Sequence, residues 1–138
     1  MTTADTRRML FVNLPVQDLS ASSAFFTELG FTFDERFSDD KATCLVLSDQ
    51  AYVMLLVRPF FAGFTTKQVA DPATHTGAIL AVSATSRRDV DGLVDRALEL
   101  GGTVAKEAQD QGFMYGRSFY DLDGHAWEVI WMEQEAVA

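Results

Sequence analysis

Glu128 is the strongest candidate in this chain for a binding or catalytic residue, because it is a lone carboxylate inside the apolar run "HAWEVIW". A carboxylate can bind a hard divalent cation, accept hydrogen bonds from a ligand or, when desolvated, act as a general base. The two imidazoles, His75 and His125, could assist it, since borderline divalent metals favour imidazole nitrogen. No phosphate loop, nucleophile elbow or CxxC pair supports nucleotide binding, nucleophilic hydrolysis or thiol redox chemistry.

The elements that must position Glu128 start with a strand over residues 8–16. Asp18 is placed to cap a helix over roughly residues 19–29, which Gly30 ends. The segment "FTFDERF" alternates like an exposed edge strand, and residues 42–48 and 52–57 are typical of two buried strands joined by the turn "SDQ".

From residue 77 the same order of elements starts again. An apolar strand, "GAILAVSA", precedes a capping box formed by Ser86 and Asp89. Gly101 and Gly102 end the helix that this box opens, and short strands follow near "TVA", at "FMYGRSFY" and at "HAWEVIW". Five apolar residues of this helix are spaced for a core: Val90, Leu93, Val94, Ala97 and Leu98.

The two halves match each other in element order and in short sequence pairs. "LPV" at 14–16 matches "LAV" at 80–82, and "ELG" occurs at 28–30 and at 99–101. We therefore predict a single α+β domain, 1–138, made of two tandem β-α-β-β-β modules at about 8–57 and 77–132.

The segment 58–76 joins the two predicted modules, and it is too long and too apolar for a free linker. It contains Phe60, Phe61 and Phe64. Two interpretations stay open: a short helical or looped flap folded over an apolar ligand, or three rings that fill the core.

The charge balance and the cysteine content restrict partners and location. The net charge is −9 at pH 7, from 11 Lys and Arg against 20 Asp and Glu, so neither nucleic acid nor an anionic membrane is expected as a partner. Cys44 is the single cysteine and cannot form an internal disulfide, which favours a small buried residue and a reducing cytoplasm. The initial apolar run "MLFV" is too short for a signal peptide or a membrane span.

Two segments together resemble the vicinal oxygen chelate superfamily of glyoxalases, bleomycin-resistance proteins and extradiol dioxygenases. They are "DLSASSAFFTELGF" at 18–31, after the first strand, and "DLDGHAWE" at 121–128, which turns into the last strand. The resemblance implies that the curled mixed sheets of the two modules form a ligand cup, and that the protein pairs as a homodimer. It does not identify a reaction, because one scaffold hosts binders and several chemistries.

In metal-dependent members of this superfamily, one position in the first strand and one in the last strand of each module carry the metal ligands. Carried over by register, these positions are Phe11, Met54, Gly77 and Glu128. Only Glu128 can bind a metal ion. His75 would reach the cup if the second-module register were wrong by two residues, since such a shift keeps the same face.

Strand alternation puts Glu128 on the face opposite Trp127, Val129 and Trp131, which would pack beneath the helices. Besides a metal, two partners could compensate its charge. Arg117, Asn13 or Tyr115 could donate to it internally, or a ligand could do so. The cup for such a ligand would be lined by Phe11, Asn13, Met54, Leu56, Ile130 and Glu128, flanked by Tyr115 and Arg117, and roofed by Phe60, Phe61 or Phe64.

Three functions follow from these alternatives. The small number of residues that could coordinate a metal favours the first interpretation, a metal-independent protein that sequesters or senses a small, partly aromatic molecule. The second is a divalent-metal lyase or dioxygenase resembling glyoxalase, with Glu128 as ligand and His75 as helper. The third is a dimerising structural module whose cup is closed by its own side chains.

Overall fold

The structure, a computed structural model, describes residues 7–134. The predicted domain 1–138 therefore extends at both ends beyond the described residues. The fold is α+β, as predicted, and divides into one compact unit that ends at Val69 and a second that begins at Ala70.

The first unit contains one mixed sheet, two helices and a short 3-10 turn. Its strands follow the order β1-β4-β3-β2, in which β1 is parallel to β4 and the other neighbours are antiparallel. The elements are β1 (Leu10–Val16), α1 (Leu19–Glu28), β2 (Thr32–Phe33), β3 (Ala42–Val46), β4 (Ala51–Val57) and α2 (Arg58–Ala62).

The second unit repeats this connectivity. Its strand order is β5-β9-β8-β6, with β5 parallel to β9 and the short strand β7 paired to β8. The elements are β5 (Ile79–Ser83), α3 (Arg87–Glu99), β6 (Thr103–Val104), β7 (Gln109–Asp110), β8 (Met114–Tyr120) and β9 (Ala126–Met132). The duplicated β-α-β-β-β order is confirmed, and β7 is an addition that the sequence did not predict.

The helix boundaries follow from the capping residues. The Asp18 carboxylate accepts from the Ala21 amide at 3.0 Å, and Gly30 follows α1 with φ +100, a value that glycine adopts readily. Ser86 Oγ accepts from the Asp89 amide at 3.0 Å. The reciprocal hydrogen bond of the predicted capping box differs by one residue, because the Asp89 carboxylate accepts from the Thr85 amide instead of the Ser86 amide.

The predicted edge strand "FTFDERF" is only partly a strand. Thr32–Phe33 pairs with the edge of β3, and Glu35–Phe37 forms the 3-10 turn. The reason is local, since the Asp34 carboxylate accepts from the Arg36 amide at 3.0 Å and from its guanidinium at 2.8 Å. These bonds hold a turn where alternation alone predicted extended chain.

The core of the second unit lies between α3 and one face of its sheet. Val90, Val94 and Ala97 of α3 are buried as predicted, whereas Leu93 and Leu98 are half-buried. On the sheet, Phe119 and Trp127 are register partners with parallel rings 6.4 Å apart between centroids. In the first unit, Phe25 and Phe26 of α1 are buried, and their rings meet edge to face.

The segment 58–76 starts with the short helix α2 and continues as coil and turns. Phe60 and Phe64 make an edge-to-face contact at 5.1 Å, and the Lys41 ammonium lies 5.8 Å from the Phe60 ring centre. Phe64 is 71% exposed and Phe60 and Phe61 are half-buried, so these rings do not fill a core. Among residues 7–134, no helix combines the length and apolar character needed to cross a bilayer.

Candidate functional site

Glu128 lies in the middle of β9 on the face of the sheet that α3 does not cover. Its register partners are Ala81 on β5 and Ser118 on β8. The side chain is half-buried, and within residues 7–134 it makes no side-chain hydrogen bond or ion pair. A partly desolvated carboxylate without a protein donor is chemically available to a ligand.

The turn before β9 sets the register of Glu128, and a buried carboxylate holds that turn together. One Asp121 oxygen accepts from the backbone amides of Asp123, Gly124 and His125 at 3.0, 3.1 and 3.0 Å. The other accepts from the Trp127 indole at 3.0 Å. Burial raises the pKa of the Asp121 carboxyl, while His125 and the Trp127 indole act in the opposite direction.

Arg117 and Tyr115 do not lie on the Glu128 face. Their register partners are Val129 and Trp131, on the side of the sheet that faces α3. Arg117 donates to Asp91 at 2.9 Å, and the Tyr115 hydroxyl donates to the same carboxylate at 2.6 Å. The structure therefore does not bring either residue together with Glu128, and the predicted internal pairing through them is wrong.

Asp91 on α3 is the acceptor that binds both side chains, and Arg117 also reaches Asp95 at 2.8 Å. The Tyr115 hydroxyl, followed by the Arg117 guanidinium, holds the pKa of Asp91 below its usual value, and Asp91 in turn raises the pKa of Tyr115. The carboxylates of α3 thus accept the hydrogen bonds of Tyr115 and Arg117, whose position in the cup or in the core strand alternation did not decide.

Four predicted site residues of the first unit share one face of its sheet. Phe11 pairs with Tyr52, Asn13 with Met54 and Pro15 with Leu56 in the parallel register of β1 and β4. Phe11 and Tyr52 stack at 4.9 Å between ring centroids. Asn13 donates to the Phe11 carbonyl at 3.3 Å, and Leu56 is buried. This face offers an exposed aromatic ring beside an amide and a thioether.

Met54 and Glu128 occupy equivalent places in the two sheets. Met54 pairs with Cys44, and Glu128 pairs with Ser118 across a hairpin of the same length. Burial raises the pKa of the Cys44 thiol, so a neutral thiol and a thioether stand where the second unit has a hydroxyl and a carboxylate.

The first-strand position of the second unit differs from the predicted one. In the first unit, Phe11 pairs with Tyr52, which lies two residues before Met54. In the second unit, the residue two before Glu128 is Ala126, and it pairs with Ile79. Gly77 precedes β5 and lies outside the ladder. The register is thus shifted by two residues, but in the direction away from His75.

Neither histidine is paired with Glu128 in the sheet, whose register partners are Ala81 and Ser118. His75 is exposed and its Nδ1 lies 2.7 Å from Thr74 Oγ1, within a turn that precedes β5. It lines a cavity of about 370 Å³ together with Thr74, Asp123 and Gly124. His125 belongs to the turn, as predicted, where its amide donates to Asp121.

The residues that each unit contributes, Phe11 and Met54 in the first and Ile79 and Glu128 in the second, do not fit a divalent metal. Glu128 is the one hard donor, while Phe11 and Ile79 have no donor atom and Met54 supplies a soft thioether. Among the described residues, no three of His, Cys, Asp or Glu are grouped in a way that could hold a metal ion.

Sequence reasoning missed Ser118 as a member of this site. Its hydroxyl makes no side-chain hydrogen bond among residues 7–134, and the residue is half-buried beside Glu128. The signal was present, because Cys44 and Met54 are spaced like Ser118 and Glu128 on either side of matching turns.

Several solved structures resemble the chain over most of its length. A hypothetical protein from S. aureus is 27% identical with a TM-score of 0.75, over 94% of this chain and 95% of that chain. A glyoxalase-related enzyme from Fulvimarina pelagi is 20% identical with a TM-score of 0.76, over 91% and 88%. The fosfomycin resistance protein FosX from Listeria monocytogenes is 20% identical with a TM-score of 0.64, over 98% of each chain. The last two similarities concern the fold alone.

No protein of curated function matches the chain. The model of the Glyoxalase/Bleomycin resistance protein/Dioxygenase superfamily matches residues 8–129, which include both sheets nearly to their ends. The duplicated unit, the Asp18-capped helix and the turn into β9 all lie within this match. The chain therefore belongs to the Glyoxalase/Bleomycin resistance protein/Dioxygenase superfamily.

Proposed function

We propose that this chain is a metal-independent small-molecule binding protein of the glyoxalase/bleomycin-resistance type. Its ligand is small and partly aromatic. It carries a positive charge that pairs with Glu128, or a donor from which Glu128 accepts a hydrogen bond. One observation carries the proposal: Glu128 is a half-buried carboxylate with no protein donor among the described residues, and its register counterparts Phe11, Met54 and Ile79 add no hard donor.

The charge of Glu128 supports a cationic or donating ligand. Partial burial weakens the hydration of a carboxylate, and the nearby cation, Arg117, is engaged by Asp91 and Asp95 on the opposite face. A ligand that donates a hydrogen bond to Glu128 offsets this loss of hydration without any protein rearrangement.

The preference for a partly aromatic ligand is proposed from the exposed rings of the first unit, considered by itself. Phe11 is exposed and stacked on Tyr52, which presents a flat apolar surface. Phe60, Phe61 and Phe64 provide further partly exposed rings in and after α2. Flat or cationic guests bind favourably to such surfaces.

Thermal shift with 2-phenylethylamine, a cationic aromatic probe, tests the proposal. Ligand at 100 times its dissociation constant adds about 2.7 kcal/mol to the free energy of unfolding, which raises Tm by several degrees. We expect Glu128→Gln to abolish the shift. Glu107→Gln, which removes the same charge from an exposed position, should retain it. An equal shift in both variants would contradict the role of Glu128.

A divalent-metal lyase or dioxygenase is the second candidate, and membership of the superfamily is the observation that favours it. Glu128 would then be a metal ligand. Elemental analysis after growth with zinc, nickel and manganese separates the two functions. Stoichiometric metal that is lost in Glu128→Ala would favour the enzyme and overturn the metal-independent binder.

Self-association as a homodimer and a cytoplasmic location complete the proposal. Strands β1 and β5 are edges of their sheets, and Leu10 and Ile79 at their starts are 59% and 65% exposed. Apolar edge strands tend to pair with another chain. Sedimentation velocity should give twice the chain mass, whereas a monomer at all concentrations would contradict the dimer. Cys44 is a free thiol, which suits a reducing compartment.

A further inference from the structure

Ser118 and Glu128 are two half-buried polar side chains that face each other across the β8–β9 ladder. We propose that they jointly bind one primary ammonium group, so that the ligand of this protein is a primary amine. The inference rests on the proposed function, in which Glu128 accepts from the ligand, and it specifies the group that Glu128 recognises.

The hydrogen-bonding capacities of the two side chains favour an ammonium group. An ionised carboxylate only accepts hydrogen bonds, and a hydroxyl can accept as well as donate. Ser118 and Glu128 do not bond to each other or to any other side chain within residues 7–134. Directly opposed residues have Cβ atoms about 4.5–5.5 Å apart, a separation that one small group with several N–H bonds can bridge. A primary ammonium has three such donors.

Small residues flank the Ser118–Glu128 pair on two sides, which favours a primary ammonium, a small group, over a bulky one. Ala81 flanks Glu128 on the β5 side. On β8, Gly116 and Tyr120 lie two residues before and after Ser118 on the same face. The side chains of Ala81 and Gly116 are too short to cover the carboxylate. A quaternary ammonium, in contrast, is recognised by aromatic faces and has no N–H to donate. The two register partners of Glu128, Ala81 and Ser118, carry no ring, and the single ring of Tyr120, a diagonal neighbour across the ladder, does not make an aromatic cage.

The Cys44–Met54 pair of the first unit explains why one amine is expected per chain. It occupies the equivalent ladder position, but Cys44 is fully buried and Met54 carries no charge. A thiol held neutral by burial and a thioether are weak acceptors for a cation. The duplicated sheet therefore provides this acceptor pair once within the described chain.

The test compares 2-phenylethylamine with its N,N,N-trimethyl analogue by titration calorimetry. Both probes carry the same ring and the same charge, but only the primary amine has N–H donors. We expect the primary amine to bind about tenfold more tightly to the native chain, as one or two charged hydrogen bonds would give. Ser118→Ala should reduce this ratio to about two or less, whereas Ser118→Thr, which keeps the hydroxyl, should retain it.

Ser20→Ala is the matched control, because Ser20 is an exposed serine on α1 outside the site. Equal affinity for the two probes, or an unchanged ratio in Ser118→Ala, would overturn the ammonium assignment and leave the proposed function standing. Failure of both probes to bind would overturn the proposed function and this inference with it. Tm values of the variants, measured without ligand, confirm that each is folded.

Discussion

The Trp127 indole donates to the buried carboxylate of Asp121 at 3.0 Å, and this contact ties the start of β9 to the turn before it. Trp127 points to the α3 side of the sheet, and the next residue, Glu128, points to the other. The bond therefore fixes the side of the sheet to which the Glu128 carboxylate projects. Asp121 is fully engaged as an acceptor, since its second oxygen binds three backbone amides.

Asp121→Asn should lower the free energy of unfolding by about 2 kcal/mol, measured by urea denaturation. An asparagine amide nitrogen would face either the indole N–H or the backbone amides, so at least one buried donor would lose its acceptor. Asp49→Asn, in an exposed turn of the first unit, removes the same charge and should change stability little. Equal losses in the two variants would show that Asp121 acts through charge alone.

Gly124→Ala should destabilise the chain by about 2 kcal/mol or more, because it combines two penalties. The residue has φ +99, and an added Cβ would lie 2.6 Å from the Pro72 carbonyl oxygen. Gly30 has φ +100 with open space around the added atom, so Gly30→Ala reports the backbone penalty alone, about 1 kcal/mol. Thermal unfolding of both variants measures the difference. A smaller loss at Gly124 than at Gly30 would contradict the close approach of Pro72.

The pKa of Asp110 depends on Arg87, and this dependence can be measured by NMR titration. The bidentate Arg87 guanidinium, with the Gly112 amide, lowers the pKa of Asp110 to about 2. Arg87→Met should raise it toward the unperturbed value of about 3.9. Arg96→Met on the same helix, whose ion-pair partner is Glu99, should leave it unchanged.

The same shift predicts the pH dependence of stability. Because the folded pKa lies below the unfolded value, the contribution of Asp110 is present above about pH 4 and is lost as the pH falls through about 2. The loss of Tm over this range should be smaller in Asp110→Asn than in the native chain. The pair is exposed, so high salt should diminish the difference.

Cys44 should react slowly with iodoacetamide in the native chain. The residue is fully buried, and burial raises the pKa of its thiol, so little reactive thiolate forms near pH 8. We expect labelling on the order of 100-fold slower than in the denaturant-unfolded protein, followed by mass spectrometry. Because the chain has a single cysteine, the rate belongs to this site. Comparable rates in both states would contradict the burial of the β3 strand.

The local elements were predictable because their causes are local. Asp18, Ser86 and Gly30 bound the helices where capping chemistry requires, and the alternation of β9 separated Trp127 from Glu128. The errors occurred where side-chain hydrogen bonds compete with periodicity. Asp34 converts the end of a predicted strand into a turn, and no sequence period announces such a bond.

The sequence by itself determined the superfamily, the duplicated order of elements and the identity of Glu128 as an isolated carboxylate, since these depend on residue type and spacing. Only the tertiary structure decided which partners surround that carboxylate. Arg117 and Tyr115 were equally able to face Glu128 or α3, and the choice was made by two aspartates on a helix more than twenty residues earlier. Ser118 became its neighbour through strand pairing, a relation between distant residues that strand alternation alone does not specify.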